Sequence, residues 1–338
     1  MVAVQDDKER RNKSGRCEAM KKALKIIGIV LLSILILVVL FLLTVFIYNQ
    51  IMLNNEKSLF NDHPGEMVEI DGHNMCIYTE GEGEHTLVFL SGSGTASPIL
   101  DFKSLYSRLS GEYKIVVIEK FGYGFSDIVD EERSFDTILR QDREALSKMG
   151  IEGPFILCPH SMSGLETILW AQEYQDEVEA VVGLDMVLPR TYDDMDFDGI
   201  YRFEMLAAFA RDLGLIRFYY SDGSLPSELS KEEKKLYRAI ACKIAVNVDI
   251  INEGQAITDA VREIDSKPKP DVPMIMFVSD GTEVKGTDWI EKHYEYASDL
   301  TNAKVIELGC GHYVHNFKQD QISLEMKEFI NALCGAES

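Results

Sequence analysis

A serine follows a short apolar run at the point where the pattern changes from strand to helix. The apolar run is Phe155–Cys158, and residues 159–164 read Pro-His-Ser-Met-Ser-Gly, with the serine at Ser161. A sharp turn between a strand and a helix lifts a serine hydroxyl out of the sheet, and the N–H of the next residue points into the same space. The start of the following helix adds positive potential for a developing oxyanion. This arrangement indicates a nucleophilic serine.

The turn resembles that of the α/β-hydrolase family, whose motif reads G-x-S-x-G and often G-H-S-M-G-G. Residues 160–162 and the glycine at 164 match the commoner form, whereas Pro159 replaces the first glycine and Ser163 the second. Serine is small enough for a crowded turn, and the φ of proline, fixed near about −65°, is compatible with the end of a strand. The resemblance implies that Ser161 is the nucleophile.

The resemblance also implies an oxyanion hole made of two backbone N–H groups, those of Met162 and Ser93. Ser93 lies in the Ser-Gly-Ser-Gly loop after the apolar strand Thr86–Leu90, where the family has its second donor. A further segment, residues 119–127, resembles the family's D-x-x-G-x-G-x-S, with Glu119 at the acid position. That segment is structural in most members, so we assign it no chemistry.

The family places its catalytic base last in chain order, after the final strand. Here the predicted strand Lys304–Leu308 leads to Gly311 and His312, and the resemblance favours His312 over His315 because the family's histidine follows a glycine. Two histidines at i and i+3 are also half of a metal site. No third ligand stands close by in the sequence, so we expect no metal.

The acid that orients the histidine is left open between three residues. Most of the family has it after the strand that matches Met274–Val278, but Thr282 occupies that position, between Asp280 and Glu283. A minority of the family has the acid one strand earlier, where Asp185 stands. We favour Asp185, with Asp280 as the alternative acid and Glu283 as a third.

From residue 67 onward, short apolar runs alternate with helical patterns. After a predicted hairpin, Met67–Ile70 and Asn74–Tyr78, this alternation predicts a mostly parallel sheet with helices on both faces. From about residue 188 to 266 we find helical periodicity and no strand. This helical stretch is a candidate lid inserted after the sixth strand, and the resemblance implies an α/β-hydrolase fold over residues 67–338.

The N-terminal part has a different composition. Residues 1–25 carry eight basic and four acidic side chains, and residues 26–48 carry no charge at all. A 23-residue helix is about 35 Å long, enough for roughly 30 Å of bilayer hydrocarbon, and too long for the apolar core of a signal peptide. We predict a single transmembrane helix at 26–48, a cytoplasmic tail at 1–25, a stalk at 49–66 and an outward-facing domain at the cell membrane.

The net charge of −22 argues against nucleic acid as a partner, because phosphate binding requires clustered basic side chains. The features together predict a membrane-anchored serine hydrolase that forms an acyl-enzyme on Ser161, acts on an ester or amide bond of a small molecule or short peptide, and needs no cofactor. A serine nucleophile argues against dehalogenase chemistry, which uses aspartate in this family. Two alternatives are an aminopeptidase, for which the acidic run at 193–198 is a hint, and a catalytically silent surface binding domain. The sequence does not indicate an oligomeric state.

Overall fold

The computed structural model describes residues 2–193, 195–221, 223, 225–284 and 288–336. Within these ranges eight strands form one sheet. They are β1 (Glu66–Ile70), β2 (His73–Glu80), β3 (Thr86–Leu90), β4 (Lys114–Glu119), β5 (Phe155–Pro159), β6 (Val178–Leu184), β7 (Met274–Val278) and β8 (Ala303–Glu307).

The strand order is β1-β2-β4-β3-β5-β6-β7-β8. The hairpin β1–β2 and the pair β2–β4 are antiparallel, and every later pair, from β3–β4 to β7–β8, is parallel. The parallel strands β3, β5 and β7 are buried along their whole length, as expected for strands that are covered on both faces. The predicted mostly parallel sheet is confirmed.

Helices cover both faces of the sheet. Alternate residues of β5 enter different cores, because Leu157 packs with Leu165 of the following helix on one face, and Ile156 packs with Ile322 and Met326 on the other. The helices outside the insertion are α2 (Pro98–Asp101), α3 (Lys103–Tyr106), α4 (Phe135–Lys148), α5 (Ser163–Glu173), α11 (Trp289–Ser298), α12 (Val314–Phe317) and α13 (Gln319–Ala336).

The insertion between β6 and β7, which we call the lid region (residues 188–266), is helical, as the sequence predicted. The helical pattern over residues 200–218 is interrupted at Gly214, whose φ of 83° ends one helix, and the pattern over residues 231–261 is interrupted at Asn247, whose side chain accepts from the Asp249 N–H. After a short 3₁₀ turn the helices are α6 (Phe197–Leu213), α7 (Ile216–Tyr219), α8 (Lys231–Ile244), α9 (Val248–Gln255) and α10 (Ile257–Asp265).

The turn after β4 is held by one buried carboxylate. Glu119 accepts from the Phe125 N–H at 2.7 Å and from the Ser97 hydroxyl at 3.3 Å, and burial raises its pKa to about 7. A Cβ on Gly124, which has a φ of 54°, would overlap this carboxylate. The contacts of Glu119 are with the backbone and side chains of two loops, which agrees with the structural role expected for this segment.

The N-terminal helix α1 (Val2–Glu56) forms a unit of its own up to Met52, and the second unit begins at Leu53. By length and composition, α1 contains a segment able to cross a membrane. The segment predicted as a stalk begins as the last turns of this helix. It continues as a 3₁₀ turn at Lys57–Phe60, within the second unit.

Candidate active site

Ser161 lies at the predicted sharp turn between β5 and α5, and its φ of 52° is in the left-handed region. Non-glycine residues rarely adopt this conformation, and it is common at functional sites. A second serine of the turn, Ser163, stands where the motif commonly has its second glycine. Its hydroxyl is buried and donates toward the carbonyls of Leu90 and His160, at 2.7 and 2.9 Å, so that it ties the turn to the end of β3.

Two glycines make room for this turn. A Cβ on Gly92 would lie 2.5 Å from the Ser161 Cβ, and a Cβ on Gly164 would lie 2.2 Å from the Val187 carbonyl oxygen. The Val187 N–H donates to the Ser161 carbonyl at 2.8 Å, so the turn is braced by the chain that follows β6. These close approaches fix the backbone around the serine hydroxyl.

The structure brings Ser161, His312 and Asp185 together. His312 Nε2 lies 2.9 Å from Ser161 Oγ, and His312 Nδ1 lies 2.6 Å from Asp185 Oδ2. A carboxylate only accepts hydrogen bonds, so Nδ1 carries the proton and donates to Asp185. Nε2 is then an acceptor that faces the serine hydroxyl. This is the geometry of a nucleophile, a general base and an orienting acid.

Asp185 is fully buried at the end of β6, with a φ of 50°. Its second oxygen, Oδ1, accepts from the Ser279 N–H at 2.6 Å and from Trp289 Nε1–H at 2.7 Å. Hydrogen bonds to a buried carboxylate stabilise its charged form, which is the form that holds an imidazole in one orientation. Neither Ser279 nor Trp289 belongs to a motif around Asp185, so the sequence alone did not indicate them as its partners.

The other candidate acids have different partners. Asp280 is exposed, and its Oδ1 accepts from the N–H and the hydroxyl of Thr282, which lower its pKa. Glu283 accepts from the backbone N–H of His312 at 2.8 Å, so it contacts the main chain of the histidine loop and not the ring. Of the three acids considered, Asp185 is the one that contacts the imidazole.

His315 lies apart from Ser161, in a second histidine–aspartate pair. Its Nε2 is 2.7 Å from Asp101 Oδ2, and both side chains are buried. His160 lies between the two pairs, with its ring centroid 4.8 Å from those of both His312 and His315. Burial, together with the neighbouring histidines, holds the pKa of His160 well below its usual value, so its ring stays neutral and its Nε2 can donate to the His312 carbonyl at 3.3 Å.

The predicted oxyanion donors lie on the two segments that flank the serine. Met162 directly follows Ser161, and Ser93 lies in the loop after β3, beside Gly92. Among the described residues, neither backbone N–H donates to another group of the protein. Both are therefore free to bind a ligand oxygen.

The lid region packs against the loop that carries Ser93. Tyr237 and Ile240 of α8 form a buried cluster with Ala96 and Leu100, which follow that loop. The helix α9 is held by a buried ion pair, because Glu253 lies 2.6 Å from Lys120 Nζ at the end of β4. The lid region thus contacts the carboxyl ends of the strands, where the candidate site lies.

A group of carboxylates away from this site has the spacing of metal ligands. Oxygens of Asp136, Glu173 and Glu263 lie within 4.8 Å of one another. Lys267 Nζ is 2.6 Å from both Glu173 and Glu263, so a fixed cation already compensates part of their charge. The acidic run in the lid region has another use, since Asp196 caps α6 by accepting from the Gly199 N–H, while Asp194 lies outside the described residues.

The chain is 34% identical over 322 residues to the uncharacterized protein YbdG of Bacillus subtilis (strain 168), a match that covers 92% of this chain and 99% of YbdG. No model of a known protein family matches the sequence.

Solved structures with a similar fold include DbjA (TM-score 0.64, 15% identity, covering 80% of this chain and 99% of that one). A mutant of a Pseudomonas aeruginosa protein assigned as an epoxide hydrolase has a TM-score of 0.63 at 16% identity, covering 80% and 96%. A loop variant of the haloalkane dehalogenase DbeA from Bradyrhizobium elkanii has a TM-score of 0.61 at 18% identity, covering 81% and 98%. These likenesses show that the chain has the α/β-hydrolase fold.

Proposed function

The chain belongs to the family of the uncharacterized Bacillus subtilis protein YbdG, and we propose that it is a membrane-anchored serine hydrolase. The observation that carries the proposal is the contact chain Ser161–His312–Asp185, at 2.9 and 2.6 Å. The similar structures of hydrolases support hydrolysis in general terms. The serine at the nucleophile position supports acyl transfer, because a serine hydroxyl with an adjacent base attacks carbonyl carbon.

In the proposed mechanism, His312 Nε2 takes the proton of Ser161 Oγ as the oxygen attacks the carbonyl carbon of an ester or amide. The negative charge that develops on the carbonyl oxygen is bound by the N–H groups of Ser93 and Met162. His312 then protonates the leaving alcohol or amine, and an acyl-enzyme remains. A water molecule, deprotonated by His312, releases the acid.

The environment of Asp185 supports this sequence of steps. The imidazolium that forms on His312 lies against a buried carboxylate, and the hydrogen bonds from Ser279 and Trp289 keep that carboxylate in place. No reorganisation of the site is needed when the histidine gains its charge, which is the condition for electrostatic stabilisation of a transition state.

The anchor is supported by the composition of α1. Residues 26–48 carry no charge, and the eight basic residues before them favour retention of the tail in the cytoplasm. In this proposal the hydrolase domain faces outward.

The test is labelling of the full-length chain, purified in detergent, by a fluorophosphonate probe, with mass mapping of the adduct. This probe requires an activated serine and an oxyanion hole but little substrate specificity. We expect one adduct on Ser161 that is lost in Ser161→Ala and in His312→Ala. Full turnover of a short-chain ester by Ser161→Ala, or a folded wild-type chain without an adduct, would contradict the proposal.

A panel of substrates separates the remaining alternatives. A reactive Ser161 with turnover of esters supports the esterase assignment, whereas preference for a free N-terminal amine on a short peptide supports an aminopeptidase. The acidic run at 193–198 does not favour the second outcome, because Asp196 is used as a helix cap and Asp193 and Asp198 are exposed. The silent binding domain would show neither adduct nor turnover.

A further inference from the structure

The first helix of the lid region, α6, is apolar but buries none of its residues in the fold. Phe203, Leu206 and Phe209 are spaced three residues apart, and they are 70%, 64% and 60% exposed. In a soluble domain an apolar helix normally buries at least one stripe against a core. A surface helix that leaves such side chains in water therefore indicates a contact that the fold itself does not provide.

The next helix extends this exposed surface. α7 packs against α6, and its Phe218 and Tyr219 are 66% and 70% exposed. We call the five side chains the lid apolar patch, and its members are Phe203, Leu206, Phe209, Phe218 and Tyr219. Four of them are aromatic, the type that is enriched where protein meets the boundary between lipid and water.

Two contacts hold the lid region to the segment that follows the apolar part of α1. Glu56 forms a buried, two-pronged ion pair with Arg217 of α7, at 2.8 and 3.0 Å, and Lys243 of α8 lies 4.2 Å from the centroid of the Phe60 ring. Glu56 is eight residues after Tyr48, the last residue of the uncharged segment. α7 is therefore held to a residue that lies only eight positions along the chain from the end of that segment.

The charge of the neighbouring helix α8 suits a bilayer surface. Residues 26–338 have a net charge of −26, but α8 has five basic and two acidic side chains. Basic side chains near apolar and aromatic ones are attracted to anionic headgroups, at about 1 kcal/mol for each Lys or Arg near the surface. The net positive charge of α8 therefore lies on a helix that contacts the chain at Phe60, twelve residues after Tyr48.

We propose that the lid apolar patch docks on the lipid bilayer in which α1 is anchored. The proposal rests on the anchor proposed above, and on the exposure of α6 and α7, the second of which is held to Glu56, eight residues after the uncharged segment. Docking would bury the five side chains in the interfacial layer and would hold the candidate active site near the membrane surface.

The test uses the full chain in vesicles of equimolar phosphatidylcholine and phosphatidylglycerol, with bromine on the acyl chains of the phosphatidylcholine. The native Trp170 and Trp289 are buried and give a constant background. Phe209→Trp and, as a second position, Phe218→Trp place a tryptophan in the patch. Leu324→Trp is the matched control, because Leu324 is a 64% exposed apolar residue of α13, outside the lid region.

We expect the emission of Phe209→Trp and Phe218→Trp to shift to shorter wavelength in vesicles and to be lost as brominated lipid increases, while that of Leu324→Trp stays unchanged. Equal quenching in the patch and control variants would overturn the proposal. If the patch variants are not quenched and Phe209→Cys cross-links two copies of the chain, the patch covers a second copy, which also overturns it.

An alkaline wash of the same vesicles separates this proposal from the others. Release of the chain by the wash would refute the anchor, and docking beside it would fail as well. Labelling of Ser161 by the fluorophosphonate probe in the same preparation reports on the hydrolase independently of both results.

Discussion

The segment after β8 carries two histidines, and each is paired with an aspartate. His312 contacts Asp185 at 2.6 Å, and His315 contacts Asp101 at 2.7 Å. The two pairs differ in what faces the other nitrogen of the ring. For His312 this is the Ser161 hydroxyl, whereas His315 Nδ1 has no hydrogen-bond partner among the described residues.

The two pairs also differ in access. The side chain of His312 is 16% exposed, while that of His315 is fully buried and stacks on the Phe102 ring at 4.8 Å. A general base must exchange protons with substrate and water, so burial on all sides excludes that role for His315. A histidine–aspartate pair is thus a structural element in one place and a candidate proton carrier in another, and the neighbour of the second nitrogen decides which.

The largest effect that tests this comparison is expected from the matched variants His312→Gln and His315→Gln. We expect His312→Gln to lower the kcat of ester hydrolysis on the order of 10⁵-fold, because loss of the base removes almost all activation of the serine. His315→Gln is expected to lower the melting temperature but to change the kcat far less. Equal losses of kcat in two folded variants would show that the pairs act as one unit.

A somewhat smaller loss of kcat is expected from substitution of Asp185, the proposed orienting acid. Asp185→Asn should lower the kcat by about 10⁴-fold, because an amide in this position no longer selects the tautomer in which Nε2 accepts from the serine. Asp280→Asn is the control, since Asp280 is exposed and binds Thr282. Steady-state kinetics on one ester measures both, and a large loss in Asp280→Asn alone would reassign the acid.

The buried pair of Asp101 and His315 is expected to contribute to the stability of the fold. Asp101→Asn should lower the free energy of unfolding by about 3 kcal/mol, because it disturbs the partner of a fully buried histidine. Denaturant unfolding of the full chain in detergent measures this difference. The kcat of the folded variant is expected to stay near that of the wild type, and a loss comparable to that of Asp185→Asn would break the distinction between the two pairs.

The smallest expected effect is on the pH dependence of stability. It concerns His160, whose ring lies between the two histidine–aspartate pairs. Its pKa is well below the usual value in the fold, so the unfolded chain binds a proton near pH 6.5 that the folded chain does not. Stability should therefore fall as the pH drops below about 6.5, with a slope of at most about 1.4 kcal/mol per pH unit from this group.

The variant His160→Gln isolates this contribution. Gln keeps a donor for the His312 carbonyl but does not titrate, so we expect a flatter dependence of the unfolding free energy on pH between about 5 and 6.5. Unfolding curves at several pH values measure the slopes. Identical slopes for wild type and variant would mean that His160 is protonated in the fold.

Much of the fold was predictable from local pattern. The strand bounds of Thr86–Leu90 and Met274–Val278 were predicted without error, because mainly apolar runs of five residues between turns leave few alternatives. The helical character of the lid region was also predictable, because its sequence has helical periodicity and no strand-like run. Its division into the helices α6 to α10 was not, because a left-handed glycine at 214 and a capping Asn247 are visible only as local geometry.

The site was predictable in part. The turn at Ser161 is local, so the motif and its strand–helix context indicated it despite the changes at Pro159 and Ser163. The donors to Asp185 were not predictable, since Ser279 and Trp289 are 94 and 104 residues away from it in the chain and belong to no motif. The exposure of the lid apolar patch was also hidden, because apolar spacing on α6 indicates a helix face but not whether that face is covered.

By itself, the sequence determined the serine turn, the alternation of strands and helices, and the uncharged N-terminal segment, all of which depend on neighbours within a few residues. The tertiary structure decided which histidine meets the serine and which acid meets that histidine. Asp185 and His312 are 127 residues apart, and they meet because β6 and β8 are parallel strands whose carboxyl ends lie at one edge of the sheet. His315, only three residues further on, turns instead toward Asp101, and no spacing in the sequence encodes that direction.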